Sequence, residues 1–271
     1  MNFTEKQMER YSRQIILKKI GASGQKKLYG SNVLIVGAGG LGSPIAIYLA
    51  SMGIGKIGIV DKDRVEISNL SRQIIFTTND IKKKKSLTAV NKLKKINPDI
   101  KLVSFYKKLN IKNINKIAEK YKIIIDGSDN FRTRFLINDY CFDKKKILIS
   151  GAISKFEGQV YTFNFSKKNS PCLRCFIPTM PQNLDIDNCE YDGVLGTVGG
   201  IIGSIQANEV VKEILKIGDT LCGNILIFES PYTGQIANGD HSNKIVIDMN
   251  TETLKNDESI NEVLSRTFRE L

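Results

Sequence analysis

Histidine is almost missing from this chain: His241 is the only one among 271 residues. A Ser–His or Cys–His hydrolase needs an imidazole base, and the single candidate lies outside the region that carries the motifs. A secretory leader is also missing. Met1-Asn2-Phe3-Thr4-Glu5 runs into charged residues with no apolar stretch behind it. The uncharged run Gly193 to Asn208 is broken by five glycines, Thr197, Ser204 and Gln206. It reads as a buried or loop segment, not a membrane span. Acidic residues are in deficit, 28 against 40 basic ones, for a net charge of +12. The lysines are scattered, and aromatics do not interleave with them as in a single-strand binder. Nucleic acid is therefore not expected as the main ligand, although the charge can steer an acidic protein partner. Five cysteines, an odd number, are Cys141, Cys172, Cys175, Cys189 and Cys222. Without a leader they suggest the cytoplasm, with thiols free or on metal.

What is present reads as alternating short strands and helices. Met8, Tyr11, Ile15 and Ile16 repeat at helix spacing within residues 5–30. Apolar runs at 33–36, 56–60, 102–106, 123–125 and 147–150 read as buried strands. Helices are expected from Ser43-Pro44 onward and over 82–97, 111–120 and 132–142. This alternation predicts an α/β fold with a mostly parallel sheet and helices on both faces. After Gly151 the pattern changes. Tyr161, Phe163 and Phe165 alternate with polar residues, which predicts a half-solvated antiparallel strand. A helix over 204–215 and a strand over 225–228 follow. Four segments result: residues 1–30 helical, 31–150 the nucleotide-binding half, 151–250 the antiparallel half with a loop over 178–192, and 251–271 a tail with one amphipathic helix.

Gly37-Ala38-Gly39-Gly40-Leu41-Gly42 matches G-x-G-x-x-G between a strand and a helix. Glycines there allow a tight turn and let phosphate oxygens reach backbone N–H groups at a helix start. Asp61 closes the next strand, where a carboxylate accepts hydrogen bonds from a ribose diol. The fingerprint alone leaves NAD(P), FAD, S-adenosylmethionine and ATP open, since all share ribose and adenine.

A cationic set narrows the choice. Arg72 follows Ser68-Asn69-Leu70-Ser71, Lys85 opens the next helix, and Asp126-Gly127-Ser128-Asp129-Asn130 follows a strand. A dinucleotide oxidoreductase needs few cations at this edge. Adenylation must hold a triphosphate and offset charge on the α-phosphate and leaving pyrophosphate. Arg72 offers a planar fork, Lys85 a point charge, and Asp129 a hard ligand for Mg²⁺.

Together with Arg10-Tyr11-Ser12-Arg13-Gln14, Asn97-Pro98, Pro171-Cys172-Leu173-Arg174-Cys175, Gly193-Val194 and Gly203-Ser204-Ile205-Gln206-Ala207, these motifs resemble the bacterial relatives of ubiquitin-activating enzymes. Those are the adenylyltransferases serving molybdopterin synthase and thiamine biosynthesis, the MoeB/ThiF/HesA group. The resemblance runs from about residue 8 to about residue 230. It implies a Rossmann-like half continuing into antiparallel strands, assembled as a homodimer. It implies ATP held by the loop Gly37, Gly39, Gly40 and Gly42 and by Asp61 and Asn130, with Asn69, Arg72 and Lys85 on its phosphates and Asp129 beside Mg²⁺ and the α-phosphate. It implies that Arg13 reaches the active site of the other subunit. The substrate would be a small ubiquitin-like sulfur-carrier protein ending in Gly-Gly, activated as an acyl-adenylate, with sulfur coming from a separate donor.

The cysteines leave alternatives open. Cys172-x-x-Cys175 is half of a zinc site. The family completes it with a second C-x-x-C near the C-terminus, which this sequence lacks; His241 lies in roughly that region. Zinc and a metal-free thiol pair both remain. Cys189 occupies a position that in the thiamine branch takes part in sulfur transfer, though Asp185, Asp187 and Glu190 disfavour its thiolate. Two other classes also stay in play: an NAD(P)-dependent oxidoreductase and a non-catalytic carrier-binding relative.

Overall fold

The structure is a computed structural model, and it describes residues 3–168, 170–180, 193–230 and 244–248. Eight strands form one sheet: β1 (Asn32–Val36), β2 (Lys56–Val60), β3 (Lys101–Phe105), β4 (Ile123–Asp126), β5 (Ile147–Ser154), β6 (Glu157–Asn164), β7 (Asn224–Glu229) and β8 (Lys244–Asp248). Their order is β3-β2-β1-β4-β5-β6-β7-β8. The first five are parallel and the last three add on antiparallel. The boundary expected at residue 150 falls inside β5, so one continuous sheet carries both halves.

Eight described helices surround it: α1 (Glu5–Ile15), α2 (Gly21–Tyr29), α3 (Gly42–Ser51), α4 (Lys85–Ile96), α5 (Ile114–Ala118), α6 (Phe131–Asp143), α7 (Leu173–Phe176) and α8 (Gly196–Leu215). Strand side chains alternate between two apolar layers, as a period of two requires. Val33, Ile35, Ile57 and Ile59 join Leu49 of α3, Leu93 of α4 and Ile202 of α8. Leu34, Val36, Val60 and Ile124 join Ile117 of α5 and Phe135 of α6. Both faces of β1, β2, β4 and β5 are therefore largely dry, which is why these strands read as apolar runs; β3, at the edge, is half-buried. No helix of the described residues is long and apolar enough to cross a membrane.

The helical segment over 5–30 consists of two helices, α1 and α2, with the chain turning between Ile16 and Ile20. Two sequence expectations need correction. The strand carrying Tyr161 and Phe163 is antiparallel but not half-solvated: β6 is buried on both sides from Gly158 to Asn164. Its polar residues meet α8, where Thr162 donates to Glu209 (2.9 Å) and Asn164 donates to Glu213 (2.9 Å). A polar face met by polar helix residues mimics a wet face in sequence. Lastly, α8 begins at Gly196, not Ser204. Its glycines mark close packing instead of a loop. A Cβ on Gly203 would lie 2.5 Å from Pro44 Cγ and 2.7 Å from the Leu41 carbonyl oxygen. The amphipathic helix expected after residue 250 lies outside the described residues.

The crossover between β2 and α4, residues 61–84, carries part of the predicted site and is folded back on itself. Val65 and Lys82 pair through backbone N–H and C=O (2.8 Å). Asp80 Oδ2 accepts from the Thr77 backbone N–H (2.9 Å) and hydroxyl (2.8 Å), and pairs with Lys92 of α4. Burial alone would raise the Asp80 carboxyl, but the bonds from Lys92 and Thr77 outweigh it and hold the group well below the usual carboxylate range. Its contribution is therefore complete above about pH 4 and lost as pH falls further, through the folded-state value. Asp80→Asn should cost about 1–3 kcal/mol at pH 7. The gap in melting temperature between variant and wild type should close on acidification below about pH 4; a gap that stays constant would show that Asp80 does not hold the crossover.

Candidate active site

The site forms where the carboxyl ends of β1, β2 and β4 meet. The Gly37 N–H donates to the Val60 carbonyl (2.8 Å), and the Gly127 N–H donates to the Val36 carbonyl (2.9 Å). Gly37 has φ +92°, and a Cβ there would lie 2.6 Å from the Gly127 oxygen. A Cβ on Gly42 would lie 1.9 Å from the Gly37 oxygen. These two glycines are demanded by the protein's own backbone. Gly39 and Gly40 are different. Added Cβ atoms would meet nothing closer than Gln73 Nε2 at 3.8 Å and Arg72 Cγ at 3.6 Å. Internal packing does not require glycine at either position, yet both line the open cleft. A bare backbone facing open space before a helix start is the cradle that phosphate needs.

The cleft has a cavity volume of about 90 Å³ and opens to solvent. One wall is Gly39, Gly40, Arg72 and Gln73; the other is Gly127 to Phe131 with Arg134, Ala152, Ile153 and Val194. Arg72 is half-buried and donates from Nη1 to the Ser68 carbonyl (3.1 Å). Asn69 does not line the cleft. It is buried, its Oδ1 accepts from the Glu66 N–H (3.2 Å), and its carbonyl accepts from the N–H groups of Arg72 and Gln73. Asn69 thus orients Arg72. Asp129 is exposed, and among the described residues only the Asn130 amide meets its carboxylate (3.1 Å). Asn130 also caps α6 by accepting from the Thr133 N–H (2.9 Å).

Asp61 accepts from the backbone N–H of Ala38 (2.8 Å) and of Asp63 (2.7 Å), so it fastens the glycine loop. Burial pushes its carboxyl up; the two N–H bonds and the nearby Lys85 charge pull back. Lys85 is itself buried and is held at the start of α4 by its N–H bond to the Asp63 carbonyl (2.9 Å). Asp61 and Lys85 stand together behind the loop, beside the cleft and not in its walls. Arg13 is exposed on the last turn of α1 and lies outside the cleft of its own chain.

Residue reading missed Arg134 and Gln73. Gln73 is buried beside Gly39, and its Oε1 has no partner among the described residues. Arg134 is 7% exposed. A sequence signal for it existed: α6 has no acid in its first turn but has Arg134 just inside it, a placement the helix dipole disfavours. Asp126, read among the strand-end acids, is structural. It is fully buried and accepts from the Ser128 N–H (3.0 Å), the Ser128 hydroxyl (2.6 Å) and the Ser150 hydroxyl (2.8 Å).

Cys172 and Cys175 lie away from the cleft, at the start of α7 and within it, where α7 meets the far part of α6. The Leu173 N–H donates to Asn138 (2.9 Å), and Arg174 forks onto Asp139 (2.8 and 2.7 Å). The two sulfurs are 3.7 Å apart, close to the roughly 3.8 Å edge of a tetrahedron with 2.3 Å metal–sulfur bonds. Burial, then the neighbouring Cys175, pushes the Cys172 thiol up. Among the described residues no group of three or more metal-binding side chains occurs. Cys189 and His241 lie outside the described residues.

A glycine loop opening a helix, an acid at the next strand end and a cationic cleft define a Rossmann-like nucleotide-binding protein. The fold agrees with solved structures: MccB of E. coli superposes with a TM-score of 0.74 over 92% of this chain and 72% of that chain, at 24% identity. PaaA superposes with a TM-score of 0.74 over 91% and 75%, at 22% identity. The chain belongs to the ThiF family, whose model matches residues 11–242. It is 39% identical over 233 residues to the sulfur carrier protein adenylyltransferase of Thermus thermophilus, covering 85% of this chain and 86% of that protein. It is 48% identical over 222 residues to a probable molybdopterin-synthase adenylyltransferase of Porphyra purpurea, covering 82% and 58%. It is 43% identical over 221 residues to the adenylyltransferase and sulfurtransferase MOCS3-1 of Zea mays, covering 82% of this chain but about half, 47%, of that protein.

The glycines give a direct test. Gly39→Ala should fold with stability within about 1 kcal/mol of wild type but bind nucleotide at least about tenfold more weakly. Gly42→Ala should lose more than about 3 kcal/mol in thermal unfolding. Equal nucleotide affinity in Gly39→Ala, read by titration calorimetry, would contradict the cradle.

Proposed function

We propose that this chain is an ATP-dependent adenylyltransferase that forms an acyl-adenylate on the C-terminal glycine of a ubiquitin-like sulfur-carrier protein. The observation that carries the reading is that the bare backbone of Gly39 and Gly40, the cation Arg72 and the open carboxylate of Asp129 line one cleft. The adenylyltransferase names of its relatives, one of them matched along nearly its whole length, point the same way. They favour adenylation over nicotinamide chemistry.

In this reading the glycine loop and α3 receive the phosphates, Asp61 receives the ribose, and Arg72 with Lys85 offsets the triphosphate charge. Asn69 positions Arg72. Asn130 also contacts the nucleotide, and Asp129 would hold Mg²⁺, whose chemistry is to neutralise phosphate oxygens when bound; an exposed carboxylate with a single partner among the described residues suits a hard cation. The carrier carboxylate attacks the α-phosphorus, the bond to the β-phosphate oxygen breaks, and pyrophosphate leaves with that electron pair. A carboxylate is already ionised at neutral pH, so no general base is required. This suits a chain whose one histidine is remote in sequence.

The enzyme works as a homodimer in which Arg13 of one subunit completes the cleft of the other. Its exposure at the end of α1, outside its own cleft, is what supports this. The carrier belongs to molybdopterin or thiamine biosynthesis, and its sulfur comes from a separate donor. The sulfur spacing at Cys172 and Cys175 suits zinc.

ATP–pyrophosphate exchange in the presence of carrier tests the core of this. Arg72→Ala and Asp129→Ala should each lower it by about 100-fold or more; full exchange in either would remove the site assignment. Mixing Arg13→Ala with Asp129→Ala subunits should restore about one quarter of wild-type exchange, since half the dimers are mixed and each has one intact site. No recovery on mixing would mean that Arg13 does not act across the dimer.

A further inference from the structure

Among the basic side chains in the cleft walls, Arg72 is taken up with phosphate, but Arg134 has no assigned task. Its guanidinium is pinned from two sides. Nη2 donates to the carbonyls of Gly151 (3.1 Å) and Ser128 (3.4 Å), and Nε lies 3.6 Å from Asp126 Oδ2. Asp126 is in turn locked by Ser128 and Ser150. No described residue takes Nη1, yet Arg134 lines the cleft while only 7% exposed. A guanidinium cannot shed its charge. Its charge is paired with the buried Asp126, and Nη1 is the donor edge it keeps for an anion in the cleft.

Its place in the cleft selects the anion. The glycine loop and Arg72 form one wall; Arg134 stands on the other, beside Ala152 and Ile153 of β5. Asp129 lines the same side as Arg134, and its charge repels an incoming carboxylate. A carboxylate attacking a phosphate must come past that acid, and a cation on the far wall offsets the repulsion without touching the phosphates. We propose that Arg134 is the receptor for the incoming carboxylate of the substrate, holding one carboxylate oxygen while the other faces the α-phosphorus. This rests on the adenylation reading above and sharpens it, since such a receptor admits an acid and rejects an amide.

Two measurements on the full chain test it, with a Gly-Gly-terminated sulfur-carrier protein and the same protein carrying a C-terminal amide. In Arg134→Gln, ATP affinity should stay within about threefold of wild type, while KM for the carrier in exchange rises at least about tenfold, the weight of one charge-assisted hydrogen bond. Arg134→Lys should recover part of that loss. Equal losses in ATP and carrier affinity, or a fall in kcat alone, would overturn the proposal. Should Arg134→Gln fail to fold, wild-type enzyme decides: it should bind the acid carrier at least about tenfold more tightly than the amide carrier, and equal binding overturns the receptor. A wild type without any carrier-dependent exchange would instead refute adenylation itself.

Discussion

The backbone contact between the two glycine-bearing loops governs the rest of this structure. The turn after β4 passes the turn after β1 so closely that no side chain fits at Gly37, and the β1 turn itself folds so tightly that none fits at Gly42. That closeness is fixed by the parallel pairing of β1 with β4 and by the N–H of Gly127 on the Val36 carbonyl. From it follow the start of α3 toward the cleft, the seat of Asp61 on the Ala38 N–H, and the placement of Asp129 opposite Arg72. The buried Asp126 extends the same logic one strand further, tying β4 to Ser150 of β5. A functional surface at this edge is thus held by rigid strands, and not by the reach of long side chains.

Charge is distributed across the cleft with a division of labour. Asp61 and Lys85 sit behind the glycine loop, Arg72 in front of it, and Arg134 on the opposite wall. An enzyme joining two anions must neutralise both without letting either be captured by the wrong cation. Buried, pinned cations do this better than surface lysines, which are solvated and mobile. The net charge of +12 says little about the chemistry; a few immobilised groups say most of it.

The parallel half was legible in the sequence because β1, β2, β4 and β5 are largely dry on both faces and end at punctuation. The expected run 56–60 is β2, and 123–125 falls short of β4 by only Asp126. The antiparallel half was harder. The polar residues of β6 are buried against Glu209 and Glu213, and the glycines of α8 serve contact with Pro44, Leu41 and Ser71. Pattern reading takes polar as wet and glycine as loop, and both inferences fail where one element packs tightly on another. The site shows the same split. Gly39, Gly40, Arg72 and Asp129 carry motif signals, whereas Gln73 and Arg134 matter through three-dimensional pairing. Their meaning emerges only when burial and unmet hydrogen bonds are known.

The central claim is that a carboxylate oxygen becomes bonded to the α-phosphorus of ATP in this cleft. Labelling the carrier's terminal carboxylate with ¹⁸O and analysing the released nucleotide by mass spectrometry tests it most directly. Attack at the α-phosphorus places one heavy oxygen in AMP once the activated carrier is cleaved at its acyl carbon. Label appearing in inorganic phosphate with release of ADP, or unlabelled AMP, would contradict the account.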